Sequence, residues 1–80
     1  MAHWNYRVME FNTPDGSWRA IHEVHYDDEG RPRAYTENPT QLVWDVDEGD
    51  ESPKATIERL REALDKPVLT PADFPASLRT

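Results

Sequence analysis

The sequence predicts an α+β domain in β-β-β-α order: a three- or four-stranded antiparallel sheet of consecutive hairpins with one C-terminal helix packed on one face. Three observations carry this prediction. The first 26 residues hold two runs rich in aromatic and β-branched residues around a Thr-Pro-Asp-Gly turn. Further Gly and Pro punctuation then breaks the chain into short extended pieces. Finally, Ser52-Pro53 opens a 14-residue stretch with apolar residues at helical spacing, stopped by Pro67.

The first strand is W-N-Y-R-V-M-E-F from Trp4 to Phe11. Alternation places Trp4, Tyr6 and Val8 on one face and Arg7, Met9 and Phe11 on the other. Thr13-Pro14-Asp15-Gly16 reads as a type I turn, because proline presets φ at its second position and glycine suits the exit. The second strand runs from Trp18 to Tyr26. Its even positions (Trp18, Ala20, His22, Val24, Tyr26) are the more apolar and are expected to meet the core, leaving Arg19, Ile21, Glu23 and His25 opposite. Asp27-Asp28-Glu29-Gly30-Arg31-Pro32 breaks the pattern, and a short third strand spans residues 33–37. Residues 41–46 (Q-L-V-W-D-V) are a candidate fourth strand, and the acidic residues after them read as an exposed loop.

Serine at 52 is expected to cap the helix, with Pro53 at its first position and the acids upstream favoured by the helix dipole. Ile57, Leu60 and Leu64, with Ala63 beside them, form the apolar stripe expected to meet Val8, Ala20 and Val24. Burying three large aliphatics stabilises by roughly 5–9 kcal/mol before entropy, so the helix must pack on the sheet to persist. Residues 1–69 form the single domain. Residues 70–80 read as a Pro-rich tail, poorly ordered unless Phe74 docks.

Composition excludes several chemistries. With no cysteine there is no disulfide, thiolate metal site or cysteine nucleophile, which fits a reducing compartment. No secretory signal and no apolar run of roughly 20 residues is visible, so a cytoplasmic protein away from membranes is expected. Sixteen acids against 9 bases give a net charge of -7. That disfavours direct contact with nucleic acid or an anionic membrane.

The constellations that suggest chemistry weaken on inspection. His22-Glu23-Val24-His25 lacks the i,i+4 helical spacing of a zinc protease motif, and on a strand the two histidines point to opposite sides. Glu23 and His25 share a face, but two ligands make a weak site, and no serine lies in a nucleophile elbow. In the run from Asp45, glycine falls at position 5 and Thr56 at position 12, which fails the calcium-loop pattern. The expectation is no catalytic, metal or cofactor-binding residue and no cofactor.

The set N-Y-R-V at Asn5 to Val8, I-H-E-V-H-Y at Ile21 to Tyr26, Y-T-E-N-P at Tyr35 to Pro39 and A-L-D-K-P-V-L at Ala63 to Leu69 resembles a group of short bacterial proteins without an assigned activity. The resemblance implies a free-standing small bacterial domain and carries over no functional residue.

With one helix on one side, the other sheet face is expected to stay bare. Its candidate interaction residues are Arg7, Met9, Arg19, Ile21, Glu23 and His25. The leading expectation is a non-enzymatic protein-binding or regulatory domain, its partner another protein or a second copy in a homodimer. The alternatives are an acidic mimic occupying the nucleic-acid site of a basic protein, and a small enzyme or metal-binding protein built on Glu23 and His25.

Overall fold

The computed structural model describes residues 3–75. Strand β1 (His3–Thr13) and strand β2 (Gly16–Tyr26) form a long antiparallel hairpin, and β3 (Pro32–Tyr35) adds to the far edge of β2, giving the order β1-β2-β3. A single helix, α1 (Glu51–Leu64), follows and packs on β1. The fold class is therefore α+β, with three strands. Residues 41–46 pair with nothing as a strand: they run as an exposed extended segment into a short 3-10 turn, Val46–Glu48.

The hairpin turn sets the register of the sheet. Its loop is Pro14-Asp15, and Gly16 takes φ 146, a region that L side chains rarely adopt. Thr13 therefore pairs with Gly16, Met9 with Ala20 and Val8 with Ile21. Directly opposed residues share a face. One face thus carries Arg7, Met9, Phe11, Ala20, His22, Val24 and Tyr26. The other carries Trp4, Tyr6, Val8, Glu10, Arg19, Ile21, Glu23 and His25. The sequence expectation that Val8 shares a face with Ala20 and Val24 is corrected by this register.

Two different covers close the two faces. On the first, Met9, Val24, Tyr26, Leu69 and Phe74 form the buried core, with Phe11 and Tyr35 against it. The chain after α1 supplies this cover. Leu69 runs parallel beside Met9, donating its N–H to the Val8 carbonyl (2.9 Å) and accepting from Glu10 N–H (2.8 Å). A 3-10 turn, Pro71–Asp73, then carries the chain across the face, and Phe74 meets Tyr35 edge-on at 4.8 Å. The Asp73 carboxylate accepts the Thr70 N–H at 2.8 Å, which holds the turn. Phe74 thus docks, the condition on which order after residue 69 was expected; residues 76–80 of that tail lie outside the described residues.

On the second face α1 lies over β1 and leaves β2 partly open, with Arg19 and His25 exposed and Ile21 and Glu23 half-buried. The helix begins at Glu51 with Asp50 as its cap residue, so Ser52 falls inside the first turn rather than capping it. Pro53 is still tolerated there, because the first four helical N–H groups have no intrahelical acceptor. The helix is also rotated from the expected orientation. Pro53 and Ala63 are buried and Thr56 and Leu60 half-buried, whereas Ile57 is 49% and Leu64 67% exposed. Only a small side chain at 63 lets the helix backbone come down close to the bulky Trp4, Tyr6 and Val8 surface, so Ala63 faces the sheet and the larger residues turn aside.

Candidate functional site

The register divides the six expected interaction residues. Met9 is fully buried in the core and Arg7 lies on the same side. The Arg7 guanidinium donates to the Tyr26 hydroxyl (3.0 Å) and to the Pro67 carbonyl (2.7 Å), and Tyr26 in turn donates to Asn5 Oδ1 at 2.7 Å. This chain ties the segment leaving α1 to the sheet, so Arg7 acts in the fold. Its Nε atom is buried without a hydrogen-bond partner. Arg19, Ile21, Glu23 and His25 lie together on the helix-bearing face, along the strand the helix does not cover.

The helix completes this surface. Leu64 and Val68 join Val8, Ala20, Ile21, Arg19 and Lys66 around a cavity of about 240 Å³. Ile57 lies two turns before Leu64 and so projects from the same side of α1. A trough results, with β2 as one part of its floor and the flank of α1 as its wall. A cavity of this size, open to solvent and mostly apolar, can seat one or two apolar side chains. Its charged lining consists of Arg19 and Lys66, both cations, in a chain of net charge -7.

Arg19 is oriented from below by Glu10, its cross-strand partner, at 2.9 Å. Hydrogen bonds from Arg19 and then from Asn12 hold the Glu10 carboxyl below its usual range, so the pair stays charged in mildly acidic solution. Both groups are solvated, so the pair adds little to stability. Its consequence is positional: the guanidinium is held at the rim.

The histidines separate as strand alternation requires. His22 is buried at 2% exposure on the core face, where its Nδ1 donates to the Thr36 carbonyl at 2.8 Å and its ring lies against Phe11 and Tyr35. His25 is exposed on the opposite face, its ring 6.3 Å from that of Trp4. Among the described residues no group of three or more His, Cys, Asp or Glu side chains is gathered to hold a metal. The cavity on this face lies beyond Glu23 and His25, toward the hairpin turn.

Sequence reasoning missed Ile57, Leu64 and Val68 as surface residues. A usable signal existed: the helix carries two stripes that share Leu60, one of Pro53, Thr56 and Ala63, the other of Ile57 and Leu64. A single thin sheet can cover only one of them, and the remainder must emerge as exposed apolar area.

Scans against protein-family models, curated proteins and solved structures each return no match for this chain. No helix among the described residues is long and apolar enough to cross a membrane.

Proposed function

We propose that this chain is a small non-enzymatic protein-binding or regulatory domain whose working surface is the uncovered β2 strip together with the exposed flank of α1. The observation that carries the reading is the rotation of α1. It leaves Ile57 and Leu64 exposed, Leu64 beside Ile21 and Val68, although helix packing on a sheet ordinarily hides its largest apolar residues. Arg19, Glu23 and His25 supply a polar rim around this apolar strip, the arrangement found in protein interfaces. The lack of cysteine supports a reducing compartment as its place of action.

Panning a displayed peptide library against the immobilised protein tests this reading. Selected peptides should carry apolar anchors, and their binding should be abolished by Ile21→Asp and by Leu64→Asp while the circular dichroism spectrum is retained. Recovery of no peptides, or of peptides indifferent to both substitutions, would count against it.

A further inference from the structure

Outside the trough, a run of exposed apolar residues, among them the two most exposed, Val46 and Val43, lies in the segment that leads into α1. Leu42, Val43, Trp44 and Val46 are all exposed, Val46 at 93%. Interleaved with them and following them are Asp45, Asp47, Glu48, Asp50 and Glu51, without a single cation. The segment is anchored at both ends, since Thr40 N–H donates to the Ile21 carbonyl at 2.8 Å and α1 begins at Glu51. It is therefore a short presented strap, apolar and acidic at once.

The trough has an apolar floor of Val8, Ile21, Leu64 and Val68 and two cations at its rim, Lys66 and the Arg19 that Glu10 already pairs at 2.9 Å. Each surface supplies what the other lacks. We infer that the occupant of the trough is the strap of a second copy of this chain, with Trp44 and its apolar neighbours on the floor and Asp45 and Asp47 toward Arg19 and Lys66. The inference rests on the binding role proposed above and names its partner. Every copy carries both surfaces, so two copies exchange two equivalent contacts about a two-fold axis and the assembly closes as a dimer.

The experiment is sedimentation equilibrium of the full chain across about 1 μM to 1 mM, a range that detects even weak association. A monomer–dimer equilibrium is expected. Trp44→Ala should loosen it by about thirtyfold or more, the effect of losing one buried aromatic anchor. Leu64→Asp should do the same from the other side. Neither side chain contributes to the core, so both variants should keep the wild-type circular dichroism spectrum; Val46→Asp serves as a second strap variant if Trp44→Ala loses it. Mixing the Trp44 and Leu64 variants should restore association in part, since one of the two contacts then joins an intact trough to an intact strap. A monomer throughout, including one whose strap closes on its own trough, overturns the inference, as does a dimer indifferent to all three substitutions. If the protein stays monomeric but Leu64-dependent peptides are recovered by panning, the binding role stands and only the second copy falls. If both fail, the surface has no binding role.

Discussion

The two faces of the sheet solve the same problem with opposite materials. On the core face a 3-10 turn and two side chains, Leu69 and Phe74, complete a cluster in which Met9 and Val24 are fully buried. On the other face a whole 14-residue helix fully buries only Pro53 and Ala63 of its own, half-buries Leu60 and leaves Ile57 and Leu64 outside. The short segment thus does more for the core than the helix does. What this teaches is a division of labour: one face holds the fold, and the other can tolerate change because little stability depends on it.

The largest expected effect comes from removing the minor-looking cover. A chain ending at Val68 loses Leu69 and Phe74, whose burial stabilises by about 3–6 kcal/mol together. A domain of this size has only about 4–12 kcal/mol in total. Its thermal melt should lose its cooperative transition; a sharp transition near that of the full chain would break the contrast between the faces. Phe74→Ala comes next, with an expected loss of about 3 kcal/mol in urea denaturation, because Tyr35 and Phe11 can collapse only partly into the space.

Tyr26→Phe sharpens the comparison at the polar edge of the core face. It removes the hydroxyl that accepts from Arg7 and donates to Asn5, leaving both without that partner. A loss of about 1–2 kcal/mol is expected from the denaturation midpoint. A neutral result would mean that water replaces the hydroxyl.

The smallest effect lies in the β2–β3 turn. Asp27 accepts N–H groups from Arg31 (3.0 Å) and Glu29 (2.9 Å), while Gly30 turns the chain with φ 80. The Arg31 N–H is the chief cause of the lowered Asp27 pKa; desolvation opposes it, and the Glu29 N–H adds to the lowering. A carboxyl whose folded pKa is depressed contributes stability above its unfolded value near pH 4, and that contribution disappears as pH falls through the folded value. Asp27→Ala should therefore lower the melting temperature slightly at pH 7 and converge with wild type in acid. A difference that persists unchanged at low pH would assign the effect to something other than the carboxylate.

How much of this was legible in the sequence differs from element to element. The hairpin, the short third strand and the helix follow from turn residues and periodicity, which are local properties. Face assignment was also legible but needed one more step. A two-residue loop at Pro14-Asp15 pairs odd-numbered residues of β1 with even-numbered residues of β2, which sends Arg7 and Met9 to the side of His22 and Val24. The helix rotation was not legible, because hydrophobicity ranks Ile57 and Leu64 above Ala63, whereas close approach to Trp4 and Tyr6 selects the smaller residue. Docking of Phe74 was least legible. It has no periodic neighbours, and its contacts with Tyr35 and the core are long-range; the only local hint was Thr70-Pro71-Ala72-Asp73, whose ends bond across the 3-10 turn.

The division between the faces is tested most directly by urea denaturation of Phe74→Ala and Leu64→Ala side by side. Leu64 is 67% exposed, so its truncation should cost less than about 1 kcal/mol, against about 3 kcal/mol for Phe74. Equal losses, or a greater loss at Leu64, would contradict the account by showing that the open flank of the helix belongs to the core.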